Sequence, residues 1–355
     1  MSEKSKVKAI ALLSGGLDSI LAVRLILEQG IKVTAIKFMT YFGCDAGESG
    51  SCGHDVSGLS KEMGFELKLC HLGQDYINMV RKPKHGWGKN MNPCIDCRGM
   101  MLSWAKEYMA TAKHNFIITG EVLGQRPMSQ QRGNFAMIDK EVGLAGYILR
   151  PLSAKLLKPT IPEVEGLVDR EKLLDISGRS RKRQYELAAK YGIKDFGQPA
   201  GGCLLTDPAY SVRLRDLFKY VPNTSVSDIE LLKVGRHFRP NEKCKIIVGR
   251  NEQENITIDV LAENGDALLS LKDYMGPTAI IKGDFCEEEV RIAAALTVRY
   301  GDVEGENAEV KIEHKVDDEK IVSIVTSGRV NDAYASEFMI RHKEANDVDA
   351  KYAVT

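Results

Sequence analysis

The sequence predicts an α/β fold, a parallel sheet with crossover helices, followed by a helical extension and a small C-terminal α+β domain. Three observations predict it. Apolar runs of strand length alternate with segments of helical period up to about residue 155. The strand-like runs then stop, and they return only at about residue 244.

The elements follow in order. "VKAIALL" (7–13) is a continuous apolar run, the mark of a buried strand, and it ends at a Ser-Gly-Gly turn. "LDSILAVRLILEQG" then repeats its apolar residues at helical spacing and stops at Gly30. "KVTAIKFM" (32–39) and "FELKLCHL" (65–72) read as buried strands, with a helix between them at about 55–63. "LSWAKEYMATAKH" (102–114) reads as a helix feeding the strand "NFIITG" (115–120), and "GYILRPL" (146–152) as a fifth strand. The expected organisation is an α/β domain over 1–155, a helical extension over 156–220, an α+β unit over 221–305, and a hairpin with a tail over 306–355. In the third segment "CKIIVGRNEQENITIDVL" reads as two short strands about a turn, and the last fifteen or so residues read as weakly ordered.

Composition narrows the function classes. Lys plus Arg equals Asp plus Glu at 49 each, so only a local patch could attract nucleic acid. No stretch approaches the ~20 apolar residues of a membrane span, and the start lacks a secretory pattern. A soluble cytoplasmic protein is expected, with no membrane partner. In that compartment the eight cysteines are reduced thiols, and clustered ones point to metal binding or catalysis.

"SGGLDS" (14–19) joins the first strand to the first helix, where backbone N–H groups and the helix dipole favour a phosphate. Two glycines let the backbone approach the anion, and Ser14 and Ser19 add hydroxyls. The spacing fits neither the nucleotide-kinase nor the dinucleotide glycine pattern. Asp18 would repel phosphate unless a divalent cation lies between them, and Mg²⁺–pyrophosphate removes that conflict. An ordinary strand–helix turn with Asp near a helix N-terminus uses the same residues, so the residues alone leave both readings open.

In its context, "SGGLDS" resembles the PP-loop of the ATP pyrophosphatase superfamily, which has a Rossmann-like, adenine nucleotide alpha hydrolase-like domain. Members split ATP to AMP and pyrophosphate and adenylate a carbonyl oxygen. The resemblance implies that Ser14, Gly15, Gly16, Asp18 and Ser19 hold the pyrophosphate and its Mg²⁺, with Asp18 on the metal. It places Lys37 and Phe38 near adenine and Gly120 near the α-phosphate or ribose.

The nucleophile is read from "NPCIDCRG" (92–99), which falls after the third strand, at the ligand-binding end of an open α/β sheet. It resembles the "NPC-x-x-C" of the tRNA 2-thiouridine synthetases, while "TGEVLGQRPMSQQ" (119–131) resembles the 4-thiouridine synthetases. "QPAGGCLLTDP" (198–208) carries Cys203 after two glycines, as the second catalytic cysteine of the 2-thiouridine family does. The resemblance implies a catalytic pair, Cys97 and Cys203, with Cys94 as an accessory. A thioredoxin couple would need a different frame, and zinc would need Cys44, Cys52 or His54, whose spacing matches no common pattern. Cys70, Cys244 and Cys286 read as buried small hydrophobes. Cys94, Cys97 and Cys203 could instead hold three irons of a [4Fe–4S] cluster and leave the fourth open for sulfide. A persulfide route needs a lowered thiol pKa, for which Lys89, Arg98 or a helix N-terminus is available. The complete cysteine set inclines towards the cluster, and the sequence leaves both routes open.

"RHFRPNEKCKIIVGRNEQENITI" with "GPTAIIKG" and "AAALTVRYG" resembles the RNA-binding domain of the ribosome-rescue NFACT proteins. Arg236, His237, Arg239, Arg250 and Asn251 there could contact phosphates, as could Arg179, Arg181, Lys182 and Arg183 of "GRSRKR", the densest basic cluster. The central domain and β-barrel of the 2-thiouridine enzymes, and the leading RNA-binding domain of the 4-thiouridine enzymes, have no counterpart in this arrangement. The expectation is therefore an ATP-dependent tRNA sulfurtransferase that uses Mg²⁺. Its sulfur would come from a persulfide carrier such as a cysteine desulfurase, or from free sulfide, and a homodimer is one option for its assembly. The alternatives are the same chemistry or amine transfer on a small molecule, and a non-catalytic RNA-binding adaptor.

Overall fold

The computed structural model describes residues 7–43, 56–197, 203–317 and 319–341. Cys44, Cys52, His54, the glycines before Cys203 and the last fourteen residues lie outside these. The chain divides into two compact units, Met1–Thr206 and Asp207–Thr355. That boundary falls inside the segment 156–220, so Cys203 stays with the α/β unit and the following helix goes with the second unit.

The first unit runs β1 (Lys8–Leu12), α1 (Leu17–Leu27), β2 (Lys32–Met39), α2 (Ser57–Met63), β3 (Glu66–His71), α3 (Gln74–Arg81), α4 (Cys94–Thr111), β4 (Phe116–Thr119), α5 (Arg132–Glu141), β5 (Ile148–Leu149), α6 (Ile161–Val164) and α7 (Lys182–Lys190). Its sheet has the order β3-β2-β1-β4-β5, and every pairing is parallel. Alternate residues of β1 serve opposite faces, as the pleat requires. Ala9 and Ala11 join the core under α1, whereas Ile10 and Leu12 join the core under α4 and α5. Leu17, Ile20, Leu21, Leu25 and Ile26 bury the inner stripe of α1, each worth about 1.5–3 kcal/mol of apolar transfer. The connections diverge on either side of β1, opening a crevice at the carboxyl ends of β1 and β4, where ligands bind in such sheets.

All five expected strands are present. The helix expected at 102–114 begins eight residues earlier, at Cys94. Pro93 caps it, and the polar run with Gly99 hides its first turns from a search for apolar periodicity. The cysteine pair therefore stands on the first turn of α4.

The second unit contains α8 (Pro208–Tyr220), α9 (Val226–Leu231), β6 (Arg236–Phe238), β7 (Cys244–Val248), α10 (Glu252–Val260), β8 (Ala267–Leu271), β9 (Ala279–Gly283), α11 (Glu287–Arg299), β10 (Asn307–Val316), β11 (Glu319–Gly328) and α12 (Asp332–Phe338). Its antiparallel sheet has the order β11-β10-β8-β9-β7-β6. The hairpin at the tail is present. The second of the two strands expected between 244 and 261 is instead the helix α10. Ile256, Ile258 and Val260 alternate as in a strand, but only Ile258 is buried. Asn251 accepts the Glu254 amide and so caps a helix, and that local bond outweighs the alternation. Cys286 is exposed rather than buried. Among the described residues no helix is long and apolar enough to cross a membrane.

Candidate active site

The glycine turn leaves β1 through Gly15, whose φ of 80° is the left-handed conformation that only glycine adopts cheaply. Gly16 is the N-cap of α1 and no side chain caps the helix, so its first N–H groups remain available to an anion. The Ser14 hydroxyl donates to Ser19 Oγ at 3.2 Å, and Ser19 donates to the Gly16 carbonyl at 2.7 Å. Both hydroxyls thus line the turn.

Asp18 keeps one carboxylate oxygen open beside this turn. Its Oδ2 accepts from Gln125 Nε2 at 2.8 Å and stands 3.7 Å from Arg181 Nη2. Its Oδ1 is buried and has no hydrogen-bond partner among the described residues. A buried carboxylate oxygen left without a donor suits a hard divalent cation, so the residues present fit Mg²⁺. Arg181, expected in an RNA-contacting cluster, lies instead beside Asp18 of the glycine turn. Ser177 bridges to Leu123, and the Gly178 amide donates to the Leu123 carbonyl at 2.8 Å, so the chain leads from there to Asp18. Arg183 pairs with Asp175 at 2.7 Å, while Arg179 and Lys182 are exposed.

Packing by itself requires a glycine at position 120. A Cβ there would lie 2.5 Å from the Ser19 backbone nitrogen and 2.6 Å from the Asp18 carbonyl carbon. The end of β4 therefore packs directly against the turn. Lys37 is buried near the carboxyl end of β2, and Phe38 packs into the core beneath α4.

The three candidate cysteines gather around Tyr76 of α3. The Tyr76 hydroxyl donates to Cys97 Sγ at 3.1 Å. Its phenol is pushed well above the ordinary tyrosine value, first by burial and then by Cys97, Cys203 and Cys94. Phe42 leans on the same ring with centroids 5.9 Å apart, and its carbonyl accepts from the Leu204 amide at 3.2 Å and from Cys203 Sγ at 3.5 Å. The loop before α4 closes the arrangement. The Met91 amide donates to the Leu205 carbonyl at 3.0 Å, and the Asn90 side chain to the Thr206 carbonyl at 2.7 Å. Gly197 bonds Gly15 at 3.2 Å, so residues on both sides of 198–202 are tied to the site.

The thiol chemistry departs from expectation in one respect. Burial pushes the Cys97 thiol up, and the Tyr76 hydroxyl and the Arg98 guanidinium offset this only in part. Lys89 is exposed. Among the described residues no three His, Cys, Asp or Glu side chains are disposed to hold a single metal ion. Three thiols around one phenol are nevertheless a donor set that fits an iron–sulfur cluster, which spreads its thiolates more widely than one ion does.

Three residues that sequence reasoning passed over organise this site. Glu121, only 2% exposed, ion-pairs with Arg98 and Arg150, each at 3.0 Å, and accepts the Thr119 hydroxyl. Burial works to raise its pKa, and Arg98 and Arg150 overcome this and hold it below the ordinary value. His85 is clamped between Asp96, at 3.0 Å, and Glu141, at 3.3 Å, fixing the loop to the first turn of α4. Tyr76 gave no signal beyond helical period; Glu121 was visible as a lone carboxylate after a fully apolar strand.

In the second unit the expected phosphate-contacting arginines are engaged internally. Arg239 makes a fork with Asp216, Arg250 pairs with Glu254, and Arg236 stacks 4.3 Å above the Tyr300 ring. His237 is buried, bonded to the Val234 carbonyl and held well below its ordinary pKa by burial and then by Lys245 and Arg213.

Residues 4–161 match the family model described as thiamine biosynthesis protein (ThiI), and residues 235–339 match that of the NFACT protein RNA binding domain. A tRNA-specific 2-thiouridylase, MnmA, of Fervidobacterium nodosum is 24% identical over 194 residues, which is 49% of this chain and 52% of that protein. A protein of Ureaplasma parvum named "Probable tRNA sulfurtransferase" is 30% identical over 149 residues, 41% of this chain and 37% of that protein. The chain thus spans about half the length of these curated relatives, or less. Among solved structures, a 4-thiouridine synthetase–RNA complex with bound ATP is 19% identical at a TM-score of 0.34, covering 53% of this chain and 52% of that one. The chain thus resembles the ThiI family model over most of its first unit and the NFACT RNA binding domain model over most of its second.

Proposed function

We propose that the protein is an ATP-dependent tRNA sulfurtransferase working in the cytoplasm. The observation that carries this reading is the gathering of Cys94, Cys97 and Cys203 around Tyr76, in the same α/β unit as a glycine turn with an unsatisfied Asp18 oxygen. In this reading ATP is a substrate. Ser14, Gly15, Gly16 and Ser19 hold its pyrophosphate, Asp18 holds Mg²⁺, and Lys37 and Phe38 flank the adenine. Arg181 neutralises charge on the departing pyrophosphate, and the base carbonyl oxygen leaves with AMP after sulfur attacks the adenylated carbon.

Sulfur arrives through the cysteines. Cys97, buried and bonded to Tyr76, is held as a thiol until substrate or metal replaces its proton. Cys94, Cys97 and Cys203 together would hold a [4Fe–4S] cluster, whose chemistry there is the carriage of inorganic sulfide. Without a cluster, Cys97 or Cys203 carries persulfide sulfur from a donor protein, and the partner thiol resolves it as a disulfide. A flipped-out uridine or cytidine is the acceptor.

The test is thiolation of bulk tRNA by the purified chain with Mg-ATP and, in parallel reactions, sulfide or a persulfide-loaded cysteine desulfurase, read as thionucleosides by mass spectrometry. The expected result is ATP-dependent thionucleoside formation that Cys97→Ser abolishes. Unchanged thionucleosides in a deletion strain, together with no product in vitro, would sink the proposal. Anaerobic purification separates the two sulfur routes, because a colourless, iron-free and active protein rules out the cluster.

A further inference from the structure

We infer that the second unit carries a pocket for a phosphate group of RNA, centred on the Lys245 ammonium. The inference rests on the RNA part of the function proposed above. A cavity of about 290 Å³ opens within this unit between α8, α9, β7 and β9, and Lys245 lines it. Lys245 is the second residue of β7 and is 5% exposed. Its nearest carboxylate oxygen, Asp216 Oδ2, is 3.8 Å away, near enough to pair in charge but beyond hydrogen-bond reach. Both oxygens of Asp216 are already taken by Arg239, at 3.0 and 2.6 Å.

Lys282, a half-buried lysine of the same cavity, shows the contrast. It donates to Glu263 and Asp266, each at 3.0 Å. The Lys245 ammonium makes no hydrogen bond among the described residues. A buried ammonium without an acceptor is unfavourable, and an anionic ligand is what would supply one. Exposed Lys243 adds a second cation at the rim. Two lysine point charges suit a phosphate.

The remaining wall selects the source of that phosphate. Asp228, Glu263 and Asp266 line the same cavity, and these acceptors repel a free polyanion but receive hydrogen bonds from hydroxyl donors. A phosphate next to a ribose 2′-hydroxyl satisfies both walls, and this is the group that distinguishes RNA from DNA. The family-model match to an RNA-binding domain, residues 235–339, spans Lys243, Lys245 and Lys282.

The experiment is fluorescence anisotropy of the full chain with a labelled single-stranded RNA, the matching DNA, and competing inorganic phosphate, over a range of salt. Lys245→Met keeps the buried stem and is expected to weaken RNA binding about tenfold and to flatten the salt slope by about one. Lys243→Gln, at an exposed position where folding is not at risk, is expected to weaken it about threefold. Arg291→Gln, on an exposed stretch of α11 outside the cavity, leaves affinity unchanged, and wild-type protein prefers RNA to DNA. Wild-type RNA affinity and slope in both lysine variants would overturn the inference. That holds even if inorganic phosphate raised the melting temperature of wild-type protein alone, since the pocket would then belong to free phosphate. No RNA binding by wild-type protein would overturn this inference and the RNA acceptor proposed above together, whereas binding without thiolation would touch only the latter.

Discussion

Arg98, the residue after Cys97, lies 3.0 Å from the buried carboxylate of Glu121, the residue after Gly120. One ion pair therefore ties the helix that carries Cys94 and Cys97 to the strand end that packs on the glycine turn. Arg150 completes it from the other side, and itself forks onto Asp139 at 2.8 and 2.9 Å. Glu121→Gln would leave two guanidiniums facing a neutral amide, and breaking a buried pair costs about 3–5 kcal/mol. Urea unfolding at neutral pH is expected to show a loss of that order.

The pH dependence of the same pair has a definite sign. The folded Glu121 carboxyl is held below its ordinary value of 4.5, so its contribution is fully present above pH 4.5 and is lost as pH falls through the folded value. The stability gap between wild type and Glu121→Gln should narrow with acid. A gap that is constant from pH 7 downward would show that Glu121 acts by packing and not by charge.

Arg181 gives a prediction that separates nucleotide from RNA. It stands 3.7 Å from Asp18, so Arg181→Met should raise the KM for ATP about tenfold, the loss of roughly one charge-assisted contact of 1.4 kcal/mol. Affinity for tRNA should stay as in wild type. Exposed Arg179 and Lys182 should behave in the opposite way, and steady-state kinetics with filter binding read both.

How much of this was legible in the sequence depended on whether the signal was local. The inner strands of the first unit announced themselves because both faces of a central parallel strand are buried, so "AIALL" and "FII" are apolar throughout, whereas the edge strand β3 is only partly buried. The turn at Gly15 and Gly16 was legible for the same reason: its chemistry lies in six consecutive residues. The partners were not. Nothing near Arg181 in the sequence points to Asp18, and nothing near Tyr76 points to Cys97, because the first contact closes only when the chain beyond β4 returns to α1 and the second only when α3 packs on α4. The alternating Ile256, Ile258 and Val260 misled in the other direction, since the deciding bond was a single Asn251 cap.

Gly120→Ala probes the packing of strand on turn. The new Cβ would meet backbone atoms at 2.5 Å, where no side chain can move aside. Overpacking of this kind costs about 1–3 kcal/mol, and the shift it forces falls on Asp18 and Ser19. Melting temperature should drop, and ATP binding by calorimetry should weaken more than stability alone accounts for. Unchanged ATP affinity would mean that the turn absorbs the displacement elsewhere.

Tyr76→Phe tests the thiol environment without touching a cysteine. Removing the 3.1 Å hydrogen bond takes away the main influence opposing burial at Cys97, so its thiol should rise further. At pH 8 the alkylation of Cys97 by iodoacetamide, followed by peptide mass spectrometry, should slow several-fold. The wild-type rate should itself climb with pH through the range where an ordinary cysteine is already ionised. Equal rates in the two proteins would remove Tyr76 from any part in setting the nucleophile.

Lys245 makes the stability of the second unit depend on pH in the alkaline range. Burial lowers its pKa from 10.5 to about 7; Asp216 opposes this, and Arg239 adds to the lowering. Below pH 7 both folded and unfolded chains carry the proton, and the full penalty of the buried charge is present. Between about 7 and 10.5 only the unfolded chain binds it, so stability rises with pH until the penalty is gone. Lys245→Met lacks this proton. The variant should therefore be the more stable at pH 6.5, and wild type should close the gap by pH 10, as read by urea unfolding of both. Parallel curves across that range would show that the ammonium is already neutralised by Asp216, and would remove the unsatisfied charge on which the phosphate pocket depends.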